Sequence, residues 1–216
     1  MWPKLLLIGA SGHCKSIIDS LNRTHYEDLA IIDSSMPVGS SIDGIRIAGT
    51  DSDAPRLLEA GWKFAFIAVG STGDVSAREK LFYQYAALGF QFPNIIDYTA
   101  IVSLNVQIND GTFVGKGAII NTGVKIGKHS IVNTGAIIEH DCEIGMFAHI
   151  GPGARLSGAV KVGVNTHVGI GTAIIQSVTI GENTTIGAGS VVTKDIPANA
   201  IAVGVPCKLI KTKEKC

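Results

Sequence analysis

An aliphatic residue recurs at every sixth position through the second half of the chain. The run keeps one frame without a slip, and its members are Val102, Ile108, Val114, Ile120, Ile126, Val132, Ile138, Ile144, Ile150, Leu156, Val162, Val168, Ile174, Ile180, Ile186 and Val192. A helix has 3.6 residues per turn, so a period of six would spread these side chains around its surface. The pattern predicts short strands separated by tight turns, with the aliphatic side chains pointing inward.

Two further positions of the six-residue unit are also patterned. Glycine follows the aliphatic residue at Gly115, Gly127, Gly145, Gly151, Gly163, Gly169, Gly181 and Gly187. Small or β-branched residues lie four places after it, at Ala118, Ser130, Ala136, Cys142, Ala148, Ala154, Thr166, Thr172, Thr184 and Ser190. We expect each unit to form one flat side of a coil, with glycine tolerated at the corner. Three units then close a coil, and the repeat from about Val102 to Pro197 predicts about five stacked coils. A β-sandwich would instead show period two and irregular turn spacing.

The first 95 residues lack this period and alternate between two kinds of segment. Apolar runs predict strands at 4–9, 30–33, 45–48 and 64–69, and amphipathic segments predict helices at 14–21, 56–60 and 77–88. Such alternation favours a small parallel sheet with helices on its faces. We therefore expect a Rossmann-like α/β domain at 1–95 and an all-β parallel β-helix domain with a C-terminal tail at 96–216.

Composition narrows the classes of function. The 18 basic residues equal the 18 acidic ones, which gives little support to nucleic-acid or anionic-membrane binding. The N-terminal apolar run at 5–8 is too short for a signal peptide, and no stretch approaches the roughly 20 apolar residues of a membrane span. The four cysteines, Cys216 among them, show no CxxC spacing. These features predict a cytoplasmic protein with no membrane insertion and no nucleic-acid partner.

Polar and glycine residues follow three of the predicted strands. They are the Gly9-Ala-Ser-Gly-His13 turn, Asp33, and the Gly70-Ser-Thr-Gly73 loop. Glycines between a strand and a helix often let the helix N-terminus approach a phosphate, and an acid after the second strand can bind a ribose or base. The spacing is not the full dinucleotide motif, so a simple tight turn is the alternative. Because the carboxyl ends of parallel strands meet at one edge, the sequence favours a nucleotide-type site there.

Four of the six histidines, namely His129, His140, His149 and His167, lie in the repeat. A histidine on a solenoid is usually a solvated residue. His140 differs because Asp141 follows it, and a carboxylate can hold an imidazole in the tautomer that a general base needs. His149 and His167 are 18 residues apart, which predicts that they stack on adjacent coils. His140 and His149 should face different sides of one chain, so only an oligomer could bring them together.

The six-residue repeat resembles that of the hexapeptide-repeat acyltransferases, whose solenoid is left-handed and usually trimeric. The Ser-Gly-His turn at 11–13, the Glu-His-Asp segment at 139–141 and the Val-Gly-Val-Pro tail at 203–206 make the resemblance more specific. They resemble the sugar acetyltransferases of bacterial surface-glycan pathways: the bacillosamine- and perosamine-type N-acetyltransferases and the sialic acid O-acetyltransferases. This implies a homotrimer that acetylates the amino group of a nucleotide-linked 4-amino sugar, with UDP as the favoured carrier, acetyl-CoA as co-substrate and no metal. O-acetylation of sialic acid or a related sugar is the alternative.

The resemblance also implies roles for particular residues. His140 would be the general base and Asp141 its partner. Acetyl-CoA would contact His149, Gly158, Ile170 and Ala188, although glycine is usual at the last position. The nucleotide sugar would contact Ser11, Gly12, His13, Asp33, Ser34 and Gly70. Relatives often carry a second acid or an asparagine at the positions of Ser34 and Ser71, which leaves the base of the nucleotide open.

Two other functions fit the sequence less well. The solenoid metal hydratases (γ-type carbonic anhydrases) need two histidines in a His-x4-His pair, whereas the four histidines of this repeat are 11, 9 and 18 residues apart. A non-catalytic scaffold would have no use for adjacent His140 and Asp141. Cys142 occupies a small-residue position of the repeat, so we expect it to pack rather than react.

Overall fold

A computed structural model describes residues 3–21 and 25–213 of the chain. It divides into two units, each with its own hydrophobic core. The first comprises the described residues up to Ser71 together with Ser76–Ile95, and the second comprises Thr72–Val75 and the described residues from Ile96 onward. Positions 1–2, 22–24 and 214–216 of the two predicted domains, with Cys216, lie outside the described residues.

The first unit is a five-stranded sheet with three helices. Its elements are β1 (Lys4–Ile8), α1 (Gly12–Ser20), β2 (Asp28–Ile32), β3 (Ser41–Ile42), β4 (Ile45–Gly49), α2 (Ala54–Glu59), β5 (Phe64–Ile67) and α3 (Ser76–Leu88), with a 3₁₀ turn (Asp51–Asp53) before α2. The strand order is β3-β4-β2-β1-β5. All neighbours are parallel except β3 and β4, which form a hairpin. The predicted parallel sheet is confirmed. No helix in the described ranges is long and apolar enough to cross a membrane.

Strand β3 was not predicted from the sequence. Asp43 and Gly44 connect it to β4, and both have positive φ angles, 48° and 80°. Asp-Gly is the preferred pair for a two-residue hairpin turn that needs left-handed backbone at both positions. The hairpin therefore has a local cause, and only its strand of two residues was too short to detect.

The second unit is a parallel β-helix. After β6 (Ile95–Ile96), each repeat contributes one two-residue strand. These are β7 (Ile101–Val102), β8 (Gln107–Ile108), β9 (Phe113–Val114), β10 (Ile119–Ile120), β11 (Lys125–Ile126), β12 (Ile131–Val132), β13 (Ile137–Ile138), β14 (Glu143–Ile144), β15 (His149–Ile150), β16 (Arg155–Leu156), β17 (Lys161–Val162), β18 (His167–Val168), β19 (Ala173–Ile174), β20 (Thr179–Ile180), β21 (Thr185–Ile186) and β22 (Val191–Val192).

Each strand pairs with the strand one coil away. Ile120, for example, is in register with Val102 on one side and Ile138 on the other. Three sheets result: a six-stranded sheet from β7 to β22, a five-stranded sheet from β8 to β20, and an eight-stranded sheet that runs from β6 and β9 to β24. The three-sided coil predicted from the repeat is confirmed.

The recurring aliphatic residues form the core of this unit. From Val114 to Val192 each is at most 4% exposed, and only Val102 and Ile108, on the first coil, are partly buried. Burying one such side chain contributes about 1.5–3 kcal/mol. The three columns of aliphatic side chains therefore stabilise this unit, and a slip of the frame would turn a polar residue into the core.

The glycines after the aliphatic residues serve a purpose other than the one expected. They do not have positive φ angles. A Cβ at Gly145 would instead lie 2.5 Å from the backbone nitrogen of Val164 on the next coil, and Gly127 and Gly163 meet the next backbone in the same way. The left-handed conformation occurs three places after the aliphatic residue, at every sixth position from Gly111 to Gly189. The expectation that the first set provides the corner conformation was wrong, because close stacking of coils requires those glycines.

The β-helix ends with two strands after the last repeat. Ile196 bridges to Ile180, β23 (Ala200–Val203) pairs with β21, and β24 (Lys208–Thr212) returns antiparallel to β23. The Val-Gly-Val-Pro segment begins with the last residue of β23 and continues into the turn at 204–207 that leads to β24.

Candidate active site

His140 and Asp141 form a hydrogen-bonded pair at a corner of the β-helix, directly after β13. Nδ1 of His140 lies 2.8 Å from Oδ2 of Asp141, and their side chains are 50% and 67% exposed. Asp141 has a φ of 61°, a conformation that aspartate and asparagine accept more readily than most residues. A carboxylate only accepts hydrogen bonds, so Nδ1 carries the proton and Nε2 is left as an acceptor. This is the tautomer that a general base requires.

Two glycines on neighbouring coils leave room for this pair. A Cβ at Gly158 would lie 2.5 Å from Nε2 of His140, and a Cβ at Gly123 would lie 2.5 Å from Oδ1 of Asp141. Any larger residue at either position would displace the imidazole or the carboxylate. Gly158 was singled out from the resemblance as a contact of acetyl-CoA, and its place beside Nε2 gives it a role toward His140 as well.

His149 and His167 stack on adjacent coils, as their spacing predicted. They are in register in β15 and β18, and their ring centroids are 4.9 Å apart at an interplanar angle of 75°. Nε2 of His149 accepts a hydrogen bond from Nδ2 of Asn133 at 3.1 Å, because the other amide atom of Asn133 accepts from the Thr134 N–H. Burial, and then the charge of Lys213, lower the pKa of His167. The ring of His167 is thus set up to be neutral, and His149 presents Nε2 as a hydrogen-bond acceptor.

Lys213 follows strand β24 and belongs to the β-helix unit, as His167 does. Its ammonium group donates to the backbone oxygen of Gly73 at 3.1 Å, and burial lowers its pKa while Asp74 opposes that shift. A cation therefore lies close to His167, although neither the repeat nor the resemblance indicated Lys213.

His140 and His149 belong to different sides of the chain. His140 follows β13 of the six-stranded sheet, and His149 lies in β15 of the eight-stranded sheet. Ile170 and Ala188 share the corner that follows the eight-stranded sheet, where the Gly189 N–H donates to Ile170 O at 2.8 Å. Ile170 is 57% exposed and Ala188 is also exposed. The predicted base thus lies at one corner, and His149, Ile170 and Ala188 lie on or beside another side.

The described residues contain no group of three or more His, Cys, Asp or Glu side chains arranged to hold a metal ion. His129 is 2% exposed and stacks on Phe147, with ring centroids 5.3 Å apart. This contact gives His129 a packing role. Cys142 is buried in the column of small residues, and burial raises the pKa of its thiol to about 11, as expected for a cysteine that packs.

The turn between β1 and α1 leaves the start of the helix open. Gly9 has a φ of 100°, and its N–H donates to Ile32 O at 2.8 Å. Ser11 precedes the helix and its hydroxyl donates to Ala68 O at 3.4 Å. A Cβ on Gly12 would meet nothing within 4 Å. The protein's own packing therefore does not require glycine there, and the first N–H groups of α1 have space in which an anion could approach them.

His13, Gly70 and Arg78 lie together beside this turn. A Cβ at Gly70 would lie 3.3 Å from Cβ of His13. Burial, reinforced by Arg78, lowers the pKa of His13 to about 4, so this ring is neutral at neutral pH. Arg78 is 3% exposed and donates to Ser71 Oγ at 3.2 Å. Burial lowers the pKa of its guanidinium to about 10, so it is still a cation at neutral pH. Sequence reasoning missed Arg78 because it lies inside α3, in no recognisable motif.

A cavity of about 210 Å³ lies at the carboxyl ends of β1 and β2. Asp33 and Ser34, two predicted residues, line it together with Asp51, which sequence reasoning missed. Oδ2 of Asp33 accepts the Ala10 N–H at 2.8 Å, and Oδ1 accepts the Ser35 hydroxyl at 2.6 Å. Burial acts to raise the pKa of Asp33, but the hydrogen bonds, those from Ser35 first, outweigh it and hold the pKa below its usual value. Asp33 is therefore an anion that joins the β1–α1 turn to the segment after β2.

The first unit matches the family model of the PglD N-terminal domain over residues 4–85. A comparison with curated proteins gave no match. Among solved structures, perosamine N-acetyltransferase from Caulobacter crescentus, as a histidine-to-asparagine mutant in complex with CoA and GDP-perosamine, is 36% identical with a TM-score of 0.90, over 96% of this chain and 97% of that one. The acetyltransferase domain of PglB from Neisseria gonorrhoeae, in complex with acetyl coenzyme A, is 32% identical with a TM-score of 0.90, over 97% and 100%. WeeI from Acinetobacter baumannii is 25% identical with a TM-score of 0.83, over 95% and 99%.

Proposed function

Because the chain belongs to the family of hexapeptide-repeat sugar N-acetyltransferases, with the left-handed parallel β-helix of that family, we propose that it transfers the acetyl group of acetyl-CoA to the amino group of a nucleotide-linked 4-amino sugar. The observation that carries this proposal is the His140–Asp141 pair, which leaves Nε2 of His140 facing the space beside Gly158. The complex of the Caulobacter crescentus enzyme with CoA and GDP-perosamine supports it.

The reaction needs one proton acceptor and no covalent intermediate. The lone pair of the sugar amine attacks the thioester carbonyl carbon, and a C–N bond forms. His140 takes the amine proton on Nε2, while Asp141 stabilises the imidazolium that results. The tetrahedral intermediate then collapses, the C–S bond breaks, and the thiolate of CoA leaves and takes up a proton. The products are an acetamido sugar and CoA with a free thiol.

Acetyl-CoA is proposed to lie along the side that carries His149, Ile170 and Ala188. The exposed apolar side chain of Ile170 and the small Ala188 form a column one coil apart, which suits the extended pantetheine arm. Hydrogen bonding by Asn133 leaves the proton of a neutral His149 on Nδ1. A neutral donor of this kind can bind the thioester region without competing for the amine proton. Gly158 is proposed to contact the cofactor beside His140.

The nucleotide sugar is proposed to bind the first unit. The open start of α1 at Gly12, with Ser11 and His13 beside it, suits a diphosphate, and the buried cation of Arg78 adds positive charge near Gly70. Asp33 and Ser34 line the adjoining cavity and are proposed to bind the nucleoside. The resemblance of the sequence favours UDP as the carrier, whereas the Caulobacter crescentus enzyme was solved with a GDP sugar.

A homotrimer would complete the site. His140 and His149 lie on different sides of one chain, so one subunit's base can meet its neighbour's cofactor side only across a subunit boundary. The six-stranded sheet presents exposed aliphatic side chains on its first coils, with Ile101 65% and Ile119 36% exposed. An apolar column of this kind suits a symmetric interface.

We further propose a cytoplasmic location, in keeping with the free thiols of Cys14, Cys142 and Cys207.

The proposal is tested by incubating the protein with acetyl-CoA and a panel of UDP- and GDP-linked 4-amino sugars. We expect thiol release, measured with a chromogenic thiol reagent, together with a product that is heavier by one acetyl group. The matched control is His140→Asn, which keeps a polar side chain of similar size. The proposal fails if no 4-amino sugar releases thiol faster than this control. Thiol release with sialic acid as the acceptor, together with an ester product that hydroxylamine cleaves, would establish the alternative of O-acetylation.

A further inference from the structure

Three hydroxyl groups near the cavity of the first unit donate their protons to carboxylates. Ser34 Oγ donates to Oδ2 of Asp51 at 3.0 Å, and the phenol of Tyr85 donates to Oδ1 of Asp51 at 2.8 Å. Ser35 donates to Asp33 in the same way. These side chains can therefore only accept hydrogen bonds from a ligand. A molecule that binds here by side-chain contacts has to bring the donors.

Asp51 lies where the base of a nucleotide would be. The sheet order places β1, β2 and β4 side by side, and Asp33 and Asp51 follow β2 and β4. Adjacent strands are about 4.8 Å apart, so β4 lies roughly 10 Å from the β1–α1 turn. This is about the distance from a diphosphate, across its ribose, to the base. A nucleotide with its phosphates at Gly12 and its ribose at Asp33 therefore directs its base toward Asp51.

We infer that Asp51 makes the pocket specific for guanine, so that the sugar is carried by GDP rather than UDP. This inference rests on the proposed function. Guanine presents two adjacent donors, N1–H and the 2-amino group, which match the two oxygens of one carboxylate. Uracil presents a single N3–H between two carbonyl oxygens. If uracil bonded to one oxygen of Asp51, the other oxygen would face a carbonyl, and two acceptors would repel.

Tyr85 is a positioning residue for this contact. Its side chain is fully buried in the core of the first unit. Burial, and then the hydrogen bond to Asp51, raise the pKa of the phenol, so it remains a donor. With Tyr85 on one oxygen and Ser34 on the other, the carboxylate is held in one orientation, and each oxygen retains a lone pair for the base.

Titration calorimetry of the full-length protein with GDP and with UDP tests the inference without requiring turnover. We expect GDP to bind more tightly than UDP. Asp51→Asn replaces one acceptor by a donor, so it should weaken GDP binding by roughly 10- to 100-fold and change UDP binding by less than about threefold. Tyr85→Phe should lower the ratio of GDP to UDP affinity in the same direction but by less. A purely structural defect would weaken the binding of both nucleotides equally.

The matched control is Asp28→Asn, the same substitution at the other end of the strands. Asp28 begins β2 and is exposed, 4.0 Å from Arg46, so this variant should bind both nucleotides like the unmodified protein. The inference is overturned if UDP binds as tightly as GDP, or if Asp51→Asn weakens both equally. Acetyl transfer to a UDP sugar alone would overturn it and leave the proposed function standing. If neither nucleotide binds and no sugar nucleotide releases thiol, both the inference and the proposed function are overturned.

Discussion

Gly158 lies directly opposite Nε2 of His140, one coil away. A Cβ at this glycine would be 2.5 Å from Nε2 and would have to push the imidazole aside. We predict that Gly158→Ala lowers kcat by roughly 10- to 100-fold, since small displacements of a reacting group are costly. The backbone at Gly158 does not have a positive φ and the obstructing group is a movable side chain. The melting temperature should therefore change little, and both quantities are measured on the same preparation.

The control for this variant is Gly163→Ala, which should behave in the opposite way. A Cβ at Gly163 would meet the backbone of Glu182 and Gly181 on the next coil rather than a side chain. Because a backbone cannot rotate away, we expect a loss of stability of about 1–3 kcal/mol. A Gly158→Ala variant with normal kcat would show that His140 does not need this space.

Asp141→Asn tests whether the carboxylate sets the tautomer of His140. Asparagine also accepts a left-handed backbone, so the φ of 61° is kept and only the acceptor at Nδ1 is changed. The amide can donate to Nδ1, which would leave the proton on Nε2, where a base must be free. We expect kcat to fall by about 10- to 1,000-fold, and His140→Asn to cost about 10²- to 10⁴-fold.

Steady-state kinetics with saturating acetyl-CoA give kcat for Asp141→Asn and His140→Asn, and circular dichroism checks the fold of each variant. If Asp141→Asn keeps the normal kcat, the hydrogen bond of 2.8 Å between the two side chains has no part in proton transfer. Asp141→Ala is a poorer test, because alanine at a positive φ adds strain to the loss of the carboxylate.

The fold of the second unit could be predicted because one physical requirement repeats. Each coil needs an aliphatic residue at the same place, so Val114 and every sixth residue after it report the same inward position. The pattern could not show which of two glycine columns has the left-handed conformation. Glycine recurs both directly after the aliphatic residue and three places after it, from Gly111 to Gly189. Only the structure shows that the second column has positive φ angles, whereas the first column allows the close stacking of coils.

The candidate site also contains residues that a local sequence pattern predicts and residues that only the tertiary structure brings together. His140 and Asp141 are adjacent in sequence, and their contact was predicted from that adjacency. The contact between Tyr85 and Asp51 joins residues 34 positions apart on different elements, and neither residue belongs to a motif. Arg78 was missed for a related reason, because only the tertiary structure shows that this arginine is buried beside the Gly70 loop. Local patterns predicted the residues that act as neighbours, and tertiary packing determined the others.

Lowering the pH should destabilise the first unit through His13. Its pKa is about 4 in the folded state, against about 6.5 when exposed, so the unfolded chain binds more protons between these values. Stability is therefore fully present above pH 6.5 and is lost as the pH falls toward 4, by up to about 3 kcal/mol. Urea unfolding followed by the fluorescence of Trp62, which is buried in the same unit, measures this dependence. His13→Asn should flatten it, and an equally steep profile in this variant would assign the loss to other groups.

Mixed oligomers can show whether the site is shared between subunits. His140→Asn and His149→Phe should each be inactive alone, because one removes the proposed base and the other the proposed contact to acetyl-CoA. If each site combines His140 of one subunit with His149 of the next, co-expression of the two variants will create some sites that retain both residues. At equal expression and random assembly, half of the subunits supply His140 and half supply His149. Roughly a quarter of the sites in a closed ring are then intact, and about a quarter of the normal activity should return.

Variants that are purified separately and mixed without exchange of subunits should stay inactive, which provides the control. No recovery in co-expressed, tag-selected mixed oligomers would mean that both histidines act within one chain, which the separation of β13 and β15 onto different sheets argues against.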